Sequence, residues 1–244
     1  MTEDCRTIID FLACDYELLE NEPDGAKICA RHEELWEAGR REGFTPLLIL
    51  VSDTLAEAIE LSCEDADLEA RAESAAAMRA DILQKAEAVD ADAFLAARLA
   101  EYTEMHAGED DVTGEFEDCE PVDCLLSIDA KNEITEIILA KIPAANPWEL
   151  PAWVPMGGFN DCPSPAEQVA VFRRWHERYG AAAVLVSYDV WEMELRGKEP
   201  VKGNEEAEAL AKEQFAFCYD IVMQAFGQAF CSVRGLASRL RGSS

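Results

Sequence analysis

The sequence predicts an α+β fold, in which a central mixed sheet of about four to six strands is covered by helices and a helical segment lies at 64–106. Three observations predict it. "FTPLLILV" (44–51) is short, aliphatic and bounded by turn signals, and a capped helix follows it. "SPAEQVAVFRRWHERYG" (164–180) carries start and stop signals for a helix and runs into the apolar "AAAVLV". Residues 64–106 hold no glycine or proline and are rich in alanine and charge. With 244 residues, half of them hydrophobic, there is enough apolar surface for one packed domain over 1–244.

Taken in order, "CRTIIDFLACDYELL" (5–19) fits helical and strand spacing alike, and "NEPDG" (21–25) is a turn. The second half of 26–43 reads as helix, stopped by Gly43. After the strand at 44–51, Ser52 or Asp53 caps "SDTLAEAIELS". Val89 to Ala91 divides the 64–106 segment, with Asp90 as the new cap. "GEDDVTGEFEDCEPVD" (108–123) is an acidic surface loop. "LLSID" and "ITEIILAKI" are read as a hairpin through Ala130–Asn132, with strand-then-helix as the other reading. Four prolines make 143–155 extended. Ser164, Pro165 and Glu167 form a capping box with proline at the first helical position, and Gly180 ends that helix. The strand at 181–195 folds back at Tyr188–Asp189. "KEPVKGN" is a turn, and 205–227 is a long amphipathic helix. One more strand and helix follow to the end.

Charge narrows the classes of partner. Fifty acidic residues against 21 basic give a net charge of −29. Such a field repels nucleic acid and anionic membrane surfaces, so neither is expected as a partner. A basic protein fits, as does a purely solubilising role. The longest apolar runs are too short to span a bilayer, and "MTEDCRTIID" does not resemble a signal peptide, so a cytoplasmic location is expected. Nine cysteines with no C-x-x-C pair read as small buried hydrophobes in a reducing compartment.

"MGGFNDCPSP" (156–165) is the most irregular stretch. As a reactive loop it would offer Cys162 as nucleophile near the start of a helix, whose field favours a thiolate. His176 lies about three turns down that helix, roughly 20 Å away by helical rise. As a binding turn it would use the backbone of Gly157 and Gly158, with Asn160 and Trp153 beside them. As a structural turn it would bury Phe159 and Cys162. The last is the expected arrangement, with the Cys162 sulfur against apolar side chains. Asp189 and Glu192, near the end of a strand, are the other weak catalytic candidates. Glu192 and Glu194 share one face and Asp189 the other. Glu213, Asp220 and Gln224 share a helical face. "EDDVTGEFEDCE" misses the calcium-loop residues at its first and fifth positions, and Cys119 and Cys124 make a poor zinc pair. No metal site and no cofactor are expected.

"PAWVPMGGFNDCP", "RRWHERYGAAAVLVSYDVWEMEL" and "EEAEALAKEQFAFCYDIVMQ" together resemble a bacterial family known only as domain of unknown function 4253. The shared pattern is Gly-Gly-aromatic-Asn-acidic-Cys-Pro, then Trp, Tyr-Gly, a strand with Asp-x-x-Glu, and a closing helix with Glu-Gln-aromatic. It is strong over 151–224, within a signature region at 143–227, and fainter over 35–51 in "LWEAGRREGFTPLLILV". The chain departs from the pattern in its acidic stretch at 108–123 and in "SVRGLASRLRGSS", where the family has an aromatic-rich strand. The resemblance implies the fold and the grouping, and carries no activity. The expected function is therefore a non-catalytic intracellular binding or regulatory domain, with a hydrolase or transferase using Cys162 or the carboxylates as the alternative.

Overall fold

A computed structural model of the chain describes residues 1–22, 24–62, 68–105, 136–158, 162–196 and 203–219. Helix α1 (Glu3–Leu12) starts at Thr2, whose hydroxyl accepts from the Cys5 amide, and stops at Ala13 in a left-handed conformation. Strand β1 (Tyr16–Glu20) follows directly. The ambiguous 5–19 stretch is thus a helix and a strand in succession.

Helix α2 (Gly25–Glu42) begins a full two turns before the expected start. Asp24 is the reason: its carboxylate accepts from the Ala26 and Lys27 amides and satisfies the first turn. Gly43, with φ of +84°, closes the helix as predicted. Strand β2 (Thr45–Leu50) is buried along its whole length, and Ser52 caps α3 (Asp53–Leu61) by accepting from Leu55.

Helices α4 (Leu68–Ala86) and α5 (Ala91–Met105) form the helical segment. The break falls where the sequence placed it, and the Asp90 carboxylate accepts from the Ala93 amide. Strand β3 (Glu136–Ile142) then enters the sheet. Its two edges are taken by β1 and β2, so it is not the second arm of a local hairpin. "LLSID", the acidic stretch 108–123 and the expected strand and helix after 228 lie outside the described residues.

The proline-rich 143–155 is not extended throughout. A three-ten turn covers Pro147–Glu149 and a short helix, α6, covers Leu150–Trp153. Both start on or next to a proline. In a first turn the missing N–H has no partner to lose, and the fixed φ already suits a helix. Helix α7 (Pro165–Tyr179), the hairpin β4 (Ala181–Val186) and β5 (Trp191–Leu195), and α8 (Gly203–Phe217) complete the described chain.

The five strands run in the order β1-β3-β2-β4-β5, with β2 and β4 parallel and the other neighbours antiparallel. Strand residues alternate between two apolar layers. Leu47, Ile49, Ile138, Ala140 and Ala183 face a large core shared with α1, α3, α7 and α8. Leu48, Leu50, Ile137, Leu139 and Val184 face Ile28 and Leu35 of α2. Burial on both faces explains why β2 and β4 read as unbroken apolar runs.

Candidate functional site

The segment from Met156 to Ser164 is built around a side chain that the sequence did not single out. Gln168, in the first turn and a half of α7, is fully buried. Its amide nitrogen donates to the Met156 carbonyl (2.6 Å) and to the Pro163 carbonyl (2.8 Å). Its amide oxygen accepts from the Trp191 indole (2.9 Å), at the start of β5. One side chain therefore fixes both ends of the loop and ties them to the β4–β5 hairpin. Four hydrogen-bonding capacities buried in an apolar layer require such partners.

The capping box forms as the residue spacing requires. The Glu167 carboxylate accepts from the amide (2.8 Å) and the hydroxyl (2.8 Å) of Ser164, and the Ser164 hydroxyl accepts from the Glu167 amide. Gly157 and Gly158 have φ of +104° and +78°. The Gly158 amide donates back to the Pro163 carbonyl (3.1 Å), so it is spent inside the loop. Asn160 and Phe159 lie outside the described residues.

Cys162 is partly buried and packs on the main core, in line with the expectation that most of it would be covered by apolar side chains. Its sulfur lies 3.8 Å from the Gln168 amide nitrogen. That amide is neutral and is not itself a base of the kind a nucleophilic thiol uses. The two described histidines are engaged elsewhere. His176 Nδ1 is 2.8 Å from the Ala181 carbonyl and its ring packs on Trp148, while His32 is buried beneath α2. Burial pushes the Cys5 and Cys14 thiols up to about 11.

Trp153 sits at the end of α6 with the Arg79 guanidinium 3.9 Å above its ring. Arg79 also donates to the Phe11 carbonyl (2.6 Å), so this contact joins α4, α1 and α6. Asp189 is exposed in the β4–β5 turn and accepts from the Ser187 hydroxyl (2.8 Å). Trp191 and Met193 point into the main core. Alternation then puts Glu192 and Glu194 on the α2 side. There Glu194 pairs with Arg196 (2.5 Å).

Glu213 is gathered in from the far helix. Its carboxylate accepts from Arg174 (2.6 Å) and from the Trp175 indole (2.9 Å), and faces Arg178 at 3.3 Å. Arg174 also pairs with Asp92 at 2.5 Å and Arg173 with Glu87 at 2.5 Å. Two consecutive arginines of α7 thus hold the turn between α4 and α5. Asp220 and Gln224 lie outside the described residues. Among the described residues no group of three or more His, Cys, Asp or Glu is placed to hold a metal ion, and no helix is long and apolar enough to cross a membrane.

Gln168 was legible in part. It falls four residues before Phe172 and seven before Trp175, on the apolar stripe of a well-marked helix. A polar residue on such a stripe is a buried group in need of partners.

The class these features define is a five-stranded mixed α+β protein with a glutamine-pinned glycine turn before its central helix. Residues 138–244 match the family model described as "Domain of unknown function (DUF4253)". The match contains the strong resemblance at 151–224, while the fainter one at 35–51 falls outside it. No curated protein matches the chain, and no solved structure matches it.

Proposed function

We propose that this chain is a non-catalytic binding protein of a bacterial cytoplasm and that its partner is a positively charged protein. The observation that carries the reading is how the 156–164 turn uses its polar groups. The Gln168 amide, the Gly158 amide, the Met156 and Pro163 carbonyls and the Ser164–Glu167 pair are all satisfied by one another. A group already paired within the fold makes a poor reactant and a good scaffold. The net charge of −29 supports the sign of the partner, because fields of that size steer oppositely charged surfaces together.

The test captures partners of the immobilised chain from a bacterial extract, purifies the basic ones and titrates each against the free chain at rising salt. Saturable binding that weakens steadily with salt is expected. Absence of saturable binding for every basic partner at low salt overturns the reading. Thiol labelling near neutral pH is the companion measurement. A Cys162 that outpaces Cys14 and Cys29 by orders of magnitude would favour an enzyme with a cysteine nucleophile.

A further inference from the structure

On the sheet face of Leu48, Leu50, Ile137, Leu139 and Val184, the helical residues of the buried cluster all come from α2. Three polar contacts fasten α2 there. Arg31 forms a two-pronged pair with Glu17 of β1 (2.6 and 2.8 Å). Glu33 pairs with Arg196 beyond β5 (2.8 Å), and the Arg196 guanidinium stacks on Trp36 at 4.1 Å. Between them His32, 2% exposed, places Nε2 at 3.3 Å from the Pro46 carbonyl of β2. A buried imidazole that faces a neutral carbonyl is held in its neutral form. The charged groups around it are Glu33 on its own helix, and Arg196 with its partner Glu194 from β5.

We propose that His32 makes α2 an acid-released cover: protonation of the imidazole in the α2–β2 interface loosens the helix and uncovers the apolar sheet face beneath it. This goes beyond the binding role, because it concerns when that face is available and not what the chain binds. Burial first, then the Arg196 guanidinium, pushes the His32 imidazole down to about 4, while the Pro46 carbonyl and Glu33 pull the other way. An opened α2 returns the ring to water, where it takes up a proton from about pH 6.5 downward. Between those values the opened form binds more protons than the closed one. Opening therefore becomes easier as the pH falls from about 6.5 to about 4, and is indifferent to His32 above and below that window. Linkage predicts an opening constant about 25-fold larger at about pH 5 than at about pH 7.5.

Hydrogen exchange of the α2 amides, corrected for the intrinsic rate and referenced to α3, measures this on the full chain. The exposure of α2 should rise about 25-fold more in the unaltered chain than in His32→Gln, which keeps a donor for Pro46 and cannot titrate. Equal pH dependence in both overturns the proposal. A second measurement needs no folded variant at that position: an NMR titration of the histidine rings, with His106 and His176 assigned through His106→Gln and His176→Gln. A His32 ring titrating well below the ordinary histidine value supports the cover, and one titrating at the ordinary value overturns it.

Discussion

Gly157 and Gln168 compete for one space. A Cβ built on Gly157 would lie 2.2 Å from the Gln168 amide nitrogen and 2.6 Å from the Pro163 carbonyl oxygen. The absence of a side chain at 157 is what lets the glutamine reach the carbonyls on both sides of the loop.

The two glycines should therefore respond differently. Gly157→Ala adds a clash with buried polar atoms to an unfavourable φ, and should cost at least ~2 kcal/mol. Gly158 has room, since its nearest neighbour is the Ser164 Cα at 3.9 Å. Gly158→Ala should cost about 1 kcal/mol, for the left-handed backbone alone. Urea denaturation of both variants checks the order. Equal losses would mean that the turn is held by something other than Gln168.

Replacing Gln168 separates shape from hydrogen bonding. Gln168→Leu leaves the Trp191 indole and the Met156 carbonyl unpaired in the core, strips the Pro163 carbonyl of one of its two donors, and should cost about 3 kcal/mol. Gln168→Glu keeps the acceptor for Trp191 but turns a carboxylate towards the Met156 and Pro163 carbonyls. A protonated carboxyl can donate to one of them, so this variant should gain stability relative to the native chain as the pH falls. Thermal melts at neutral and mildly acidic pH decide it, and a pH-independent difference from the native chain would count against the assigned bonds.

Glu213 should behave as a connector of helices. Glu213→Ala strands the Trp175 indole and removes a partner from Arg174 and Arg178, at a cost of about 2 kcal/mol. Glu213→Gln keeps the acceptor for Trp175 and should cost about half as much. Chemical denaturation followed by tryptophan fluorescence measures both.

The segment that matches the family model should not fold alone. Within 138–244, β3 and the β4–β5 hairpin are not paired with each other: β2, residues Thr45–Leu50, stands between them. Excising 138–244 exposes a facing strand edge on each piece and removes the buried Leu47, Leu48, Ile49 and Leu50. Circular dichroism and amide dispersion should show an unfolded or aggregated fragment. A folded monomer would require a different strand order.

The sequence alone determined those features that depend on neighbours a few residues away. The capping box at Ser164 and Glu167, the left-handed stops at Gly43 and Gly180, the break at Asp90 and the buried strands at 45–50 and 181–186 all follow from local hydrogen bonding and periodicity. Even the early start of α2 was written there, in the Asp24 cap. Strand order was not, because an apolar run fits either neighbour, and only the packed layers decide that β2 sits between β3 and β4. Nor were the partners of Gln168, Glu213 and His32 legible, since all but the Pro163 carbonyl, five residues from Gln168, are met across 12 to 39 residues of chain. Burial first removes water from such a group, and only then does the identity of the atom across the gap decide whether it is paired, charged or neutral.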